Sequence, residues 1–187
     1  MIHILILIIT MILSGCAVQQ VPPYNPETYM RAQSLIDQGT LYLRQEQLPK
    51  AKATFEVALS VMELAAAYDG LGVVAFLQHD YEHSADYYWK AYRTDPEYTH
   101  VLGNLALLYE ITGNDDRARM LYEEAISKNP DYAPFRNNYA AFLEANRAES
   151  HQAREEMQRA SILAEHPIIH NNMKFLNAED KNHLHSP

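Results

Sequence analysis

The sequence predicts an all-α fold, a superhelix of about four helix-turn-helix repeats closed by a short C-terminal capping helix. The first observation is the stretch Thr99–Tyr132, in which two apolar faces with helical spacing lie on either side of Gly113. Asp115 or Asp116 is expected to cap the second of these helices. One such hairpin cannot bury its apolar face alone, so neighbours of the same kind are expected.

The second observation is that this hairpin recurs along the chain. A small–aromatic–small pattern, with Met in place of the aromatic residue in the last copy, returns at offsets of 33, 34 and 35 residues. Small residues let two helices approach closely, and the large residue fills the space between them. The four sets are Ala51, Phe55, Ala58; Ser84, Tyr88, Ala91; Ala118, Tyr122, Ala125; and Ala153, Met157, Ala160.

The periodicity predicts the elements in order. The repeat helices are expected at 27–44 and 48–61, 65–78 and 81–94, 99–112 and 115–128, and 133–146 and 150–164. The array spans 32–167, divided into 32–64, 65–98, 99–132 and 133–167. Residues 168–187 supply a capping helix, with Ile169, Met173 and Leu176 facing inward, and a flexible tail.

These spacings resemble the tetratricopeptide-repeat (TPR) family over about Ala32 to Pro167. The resemblance implies a concave face, formed mainly by the first helix of each repeat, that binds a protein partner. In that register the face includes Thr40, Leu43, Arg44, Asp69, Val73, Phe76, Leu77, Asn104, Leu107, Glu110, Ile111, Asn138, Ala141 and Glu144.

Two groups within this face have alternative interpretations. Val73, Phe76 and Leu77 exceed what one packed helix face needs, so they form either a partner groove or a contact with neighbouring helices. Asn104 and Asn138 occupy equivalent positions, where asparagines of other TPR superhelices hold the backbone of an extended peptide. The alternative for these two amides is packing or helix-end hydrogen bonding.

The N-terminal residues have the form of an export signal. The apolar run from Ile4 to Leu13 is too short to span a bilayer, and residues 1–15 read as a signal peptide. Leu13-Ser14-Gly15-Cys16 resembles the bacterial lipobox, which implies cleavage before Cys16 and its acylation with diacylglycerol and a third chain such as palmitate. The alternative is a plain signal anchor with an incidental cysteine.

Residues 16–31 form the lipidated N-terminus and a proline-rich tether, extended over 17–26. Ala17 after the cysteine implies the periplasmic side of the outer membrane.

Composition and motifs favour an interaction protein over an enzyme. The net charge is −9 and no basic stripe is present, so a nucleic-acid partner is not expected. No nucleophile elbow, phosphate loop or carboxylate pair is found, and neither a cofactor nor a small-molecule substrate is expected.

His79-Asp80-Tyr81-Glu82-His83 matches the H-x-x-E-H pattern of zinc peptidases, but His79 falls in a predicted turn. A zinc peptidase is therefore the disfavoured alternative.

A lipobox followed by a TPR array resembles the PilF/PilW lipoproteins of type IV pilus biogenesis. Residues 136–143 (RNNYAAFL) are similar to a repeat start in that family. The resemblance implies a pilotin-like scaffold for secretin or pilus-assembly subunits. The alternative is a general envelope adaptor, similar to NlpI, that docks cell-wall hydrolases or proteases.

Overall fold

The computed structural model describes residues 25–145 and 150–174, and every regular element within these ranges is a helix. The helices are α1 (Pro26–Arg44), α2 (Leu48–Val61), α3 (Ala65–Leu77), α4 (Tyr81–Thr94), α5 (His100–Ile111), α6 (Asp115–Lys128), α7 (Ala133–Ala145) and α8 (Ser150–Leu163). A further helical segment, α9, covers 167–174. The bounds of α1 to α8 agree with the predicted helices to within one residue, which confirms the all-α repeat fold.

Several N-terminal predictions lie outside the described residues, namely the signal peptide, Cys16 and most of the tether. Asn25 caps α1 by accepting a hydrogen bond from the backbone N–H of Glu27, so residues 26–31 are helical. The stretch predicted to be extended, 17–26, therefore overlaps α1 only at Pro26. Among the helices that are described, none is both long enough and apolar enough to cross a membrane.

The helices pack as successive hairpins. Each odd-numbered helix from α1 to α7 packs against the helix that follows it, and α2, α4 and α6 each contact the start of the next hairpin. The first helices of neighbouring hairpins also touch one another, α1 with α3, α3 with α5, and α5 with α7. This row of first helices is what forms one continuous face along the array.

The recurring aromatic residues are buried between the helices of each hairpin, as the spacing predicts. Phe55, Tyr88 and Tyr122 are each 2% exposed or less. A Cβ atom added at Gly72 would lie 2.4 Å from the Tyr88 ring, so only glycine permits this approach of α3 to α4. The small residues of the repeat are thus required by the rings that face them.

The turns inside the hairpins share one backbone conformation. Glu46, His79 and Gly113, which are 33 and 34 residues apart, have φ angles of 58°, 61° and 75° and follow α1, α3 and α5. A left-handed residue at this point ends a helix and lets the chain reverse.

The N-terminal cap of α6 is Asn114, whose side chain accepts a hydrogen bond from the backbone N–H of Arg117. The prediction of Asp115 or Asp116 as cap was therefore wrong by one or two residues, and both lie in the first turn instead.

The C-terminal segment closes the array. Ile169 is 4% exposed and, with Met173, packs against a cluster from α7 and α8 that includes Ala140 and Met157. Asn172 also donates a hydrogen bond of 2.9 Å from Nδ2 to Oδ1 of Asn137 on α7. These contacts confirm the predicted capping helix as far as residue 174, whereas Leu176 lies outside the described residues.

Candidate functional site

An open concavity of about 510 Å³ runs along the face formed by the first helices. Five of its lining residues belong to the face expected from the sequence, and they come from all four hairpins. These are Thr40, Arg44, Asp69, Asn104 and Asn138. We call this concavity the groove.

Asp69 is the carboxylate at the floor of the groove. It is only 9% exposed, and its two oxygens accept hydrogen bonds from Asn104 Nδ2 at 2.8 Å and from the Tyr98 hydroxyl at 3.0 Å. Both donors are neutral, and within the described ranges no Lys or Arg forms an ion pair with Asp69. Burial raises the pKa of the Asp69 carboxyl, and the two hydrogen bonds, together with an electrostatic contribution from His100, only partly offset that rise.

Aromatic residues line the groove beside Asp69. The aromatic cluster consists of Tyr98, His100, Tyr132 and Phe135. The ring centroids of His100 and Tyr132 are 4.9 Å apart, and those of Tyr132 and Phe135 are 4.6 Å apart. Gly103 allows this arrangement, because a Cβ there would lie 2.9 Å from Phe135. The groove therefore places a buried carboxylate next to a cluster of aromatic rings.

The two equivalent asparagines have different hydrogen-bond partners. Asn104 donates from Nδ2 to Asp69, whereas Asn138 accepts at Oδ1 from Asn137 Nδ2 at 3.1 Å. Within the described residues this leaves Oδ1 of Asn104 without a donor and Nδ2 of Asn138 without an acceptor. Each amide thus takes part in internal hydrogen bonding and still offers one group to the groove.

Three residues assigned to the concave face belong to packing clusters instead. Leu43 is partly buried and packs against the cluster around Phe55. Val73 and Phe76 are partly buried and pack against the main core, with the Phe76 ring centroid 5.8 Å from that of Tyr81. The structure thus places Val73 and Phe76 in helix contacts, the second of the two interpretations of the apolar α3 helix.

Four further residues assigned to the face do not line the groove. Leu77 and Ile111 are 48% and 49% exposed, at the ends of α3 and α5. Leu107 is partly buried. Glu110 accepts a hydrogen bond of 2.9 Å from the Tyr122 hydroxyl, and burial raises the pKa of its carboxyl. Position in the repeat is thus too coarse to separate groove residues from their neighbours.

Six lining residues were not predicted, namely Tyr98, His100, Gly103, Tyr132, Pro134 and Phe135. They come from the turns between hairpins and the first turns of α5 and α7. A signal was present, because Tyr98 and Tyr132 are 34 residues apart and occupy equivalent positions. The prediction considered only the first helices, although the chain entering each first helix also borders the concave side.

The H-x-x-E-H match is divided between a turn and a helix. His79 occupies the left-handed turn residue, as expected from its position, and its Nδ1 lies 3.0 Å from the Tyr81 hydroxyl. His83 lies on α4 with Nδ1 2.9 Å from Asp80. The two histidines therefore do not share the single helix on which the H-x-x-E-H motif of zinc peptidases holds its ligands. In the part of the chain that is described, no three His, Cys, Asp or Glu side chains are grouped as metal ligands.

Comparisons with known proteins agree with this geometry. Two tetratricopeptide repeat family profiles match residues 99–132 and 121–155. The chain therefore contains tetratricopeptide repeats. A search among curated proteins gives no match.

Solved TPR structures share the fold. The structure of pilF from Pseudomonas aeruginosa superposes with a TM-score of 0.74 at 20% identity, over 84% of this chain and 72% of that one. TTC0263, a thermophilic TPR protein of Thermus thermophilus, gives 0.70 at 18% identity over 79% and 82% of the two chains. YrrB, described as a TPR protein with an unusual peptide-binding site, gives 0.59 at 20% identity over 76% and 74%. Together with the two matching repeat profiles, the shared fold supports a protein-interaction scaffold.

Proposed function

We propose that this TPR protein is an envelope adaptor that holds an extended segment of a protein partner in its groove and has no catalytic role. The observation that carries the proposal is the groove itself, which crosses all four hairpins and contains the amides of Asn104 and Asn138. A free amide oxygen on one and a free amide nitrogen on the other suit the N–H and C=O groups of an extended backbone. The peptide-binding site described for YrrB supports such a use of the fold.

Site-specific photocrosslinking tests this use of the groove. A benzoylphenylalanine at Arg44, an exposed residue that lines the groove, should give covalent adducts with a partner in intact cells. The matched control is Arg93, which is also exposed and also lies in the last turn of its helix, but on α4. Adducts from position 44 that disappear in an Asn104→Ala, Asn138→Ala background support the proposal. Equal adducts from both positions would contradict it.

We further propose that the chain is anchored by lipid to the periplasmic side of the outer membrane through Cys16. The support is the lipobox resemblance of residues 13–16 and the absence of any other cysteine from the sequence. Multiple acyl chains would hold the array on the membrane almost irreversibly. Replacing Cys16 with Ser should abolish palmitate labelling and leave a soluble or uncleaved protein. Labelling that survives the change would show that another residue is the acceptor.

The machine that this adaptor serves is proposed to be a pilus or secretion assembly. The support is the PilF/PilW resemblance of residues 136–143 together with the shared fold of P. aeruginosa pilF. Deleting the gene should remove secretin multimers from outer-membrane fractions while monomers persist. Unchanged multimers, with cell-wall enzymes in the adducts from position 44, would favour the NlpI-like adaptor instead.

A further inference from the structure

The groove has an uneven distribution of charge. Asp69 is its buried anion, and Arg44 on α1 is the one Lys or Arg among its described lining residues. The aromatic cluster comes from the segments that enter α5 and α7, which are two and three hairpins further along the array than α1. The region around Asp69 therefore combines negative charge with ring surface, and among the described lining residues His100 is the basic side chain that acts electrostatically on the Asp69 carboxyl.

The carboxylate of Asp69 has bonding capacity left. Each carboxylate oxygen can accept two hydrogen bonds, and each accepts one here. Burial also makes the ionised form costly, and because neither the two hydrogen bonds nor His100 offsets that cost in full, the pKa of Asp69 is raised. A cation delivered by a ligand would remove that cost, because it supplies a charge-assisted hydrogen bond.

The neighbouring rings suit the same ligand group. Aromatic rings attract Lys and Arg side chains electrostatically, and they also cover the long aliphatic stems of these residues. Tyr98 joins the two features, since its ring belongs to the aromatic cluster and its hydroxyl donates to Asp69. The net charge of −9 draws basic segments toward the protein before they dock.

We propose that the groove selects a partner segment that places a lysine or arginine side chain against Asp69 and the aromatic cluster. The inference rests on the proposed function, because it names the residue type that the peptide groove recognises. Asn104 and Asn138 hold the backbone of the segment without regard to its sequence, and Asp69 with the rings supplies the specificity.

The probe is a set of nonapeptide pools with acetylated and amidated ends, so that no terminal charge contributes. The central residue is Lys, Arg, Gln or Glu, and the other positions are drawn from neutral amino acids. Retention on the immobilised full-length protein is measured by mass spectrometry. We expect the Lys and Arg pools to be retained about tenfold better than the Gln pool, which corresponds to one charge-assisted contact. The Glu pool should be the weakest.

The decisive variant is Asp69→Asn, which removes the charge but keeps groups that pair with Asn104 and Tyr98. Its Lys-to-Gln retention ratio should fall to about one. Asp86→Asn, the control, makes the same change in net charge at an exposed position on α4 and should keep the wild-type ratio. Tyr132→Leu keeps apolar bulk, removes the ring and should lower the ratio severalfold, which tests the site without altering Asp69.

The outcomes separate the two proposals. Pools that are retained equally, and released by Asn138→Ala, would overturn the basic-residue selection and leave the peptide groove standing. A preference for Lys that survives Asp69→Asn, or a Glu pool that binds best, would also overturn the selection. Retention of no pool above bare resin would overturn the selection and the groove together.

Discussion

Replacing Asp69 with Asn is expected to stabilise the protein near neutral pH. Asp69 is 9% exposed and has two neutral hydrogen-bond donors, so the cost of burying its ionised form is offset only in part, by these donors and by the nearby His100. An asparagine fits the same space, accepts from Asn104 and donates to the Tyr98 hydroxyl. On mutational data for buried polar groups, the gain in the free energy of unfolding is about 1–3 kcal/mol. In a chain of this size each kcal/mol raises Tm by about 2–4 °C.

The gain should depend on pH, and its sign follows from the raised pKa of Asp69. Because the folded state favours the protonated carboxyl, the wild type suffers no penalty below the pKa of the unfolded state. The penalty develops as pH rises through the folded pKa. The difference between Asp69→Asn and wild type is therefore largest near pH 7.5 and should approach zero near about pH 4.

The assay is urea unfolding followed by circular dichroism at both pH values, with Asp86→Asn as the control. Asp86 is exposed on α4, so its replacement should change the free energy of unfolding by less than about 0.5 kcal/mol at either pH. A variant at position 69 that is equally stable or less stable near neutral pH would refute the reasoning. A gain of the same size at both pH values would also refute it, because the ionised form would then not be its source. A gain confined to neutral pH would mean that the groove keeps a destabilising charge, as is expected of a group that is retained for binding.

Three other substitutions test the packing of the array. His79→Gly removes the steric cost of a left-handed backbone conformation and should raise the free energy of unfolding by about 0.5–1 kcal/mol. A lower free energy of unfolding would show that the contact of His79 with Tyr81 matters more than this strain. Gly72→Ala places a methyl group 2.4 Å from the Tyr88 ring and should lower the free energy of unfolding by about 1–3 kcal/mol, measured by urea unfolding. An unchanged free energy of unfolding would mean that α3 and α4 can move apart without loss. Phe76→Glu should lower Tm by several degrees while Leu77→Glu leaves it nearly unchanged, since the first side chain packs against the core and the second is 48% exposed. Equal Tm values for these two variants would return Phe76 to the concave surface.

Local rules account for most of the architecture. The 33- to 35-residue recurrence of small and large side chains predicted every helix from α1 to α8 to within a residue, because helical periodicity and turn residues act over short stretches of chain. The cap of α6 was misplaced because Asn114, Asp115 and Asp116 can all serve as caps. Only the backbone geometry after Gly113 decides which of them does so.

The groove could be predicted only in part. Arg44, Asp69, Asn104 and Asn138 follow from the repeat register, since equivalent positions face the same side of a superhelix. That register also assigned Val73 and Phe76 to the face, although neighbouring helices partly bury both. Whether such a residue points into the groove or into a helix contact depends on the angle between successive hairpins, which a repeat pattern does not contain.

The sequence by itself determined the helices, the repeat and the side of the array that faces inward, because these follow from interactions within about 34 residues of chain. The tertiary structure decided how the aromatic cluster meets Asp69. Tyr98 and Asn104 reach that carboxylate from 29 and 35 residues away in the chain, and they do so only once α3 packs beside α5. A carboxylate acquires its burial, its raised pKa and its two donors from such packing, so the chemistry of the groove is a property of the assembled array.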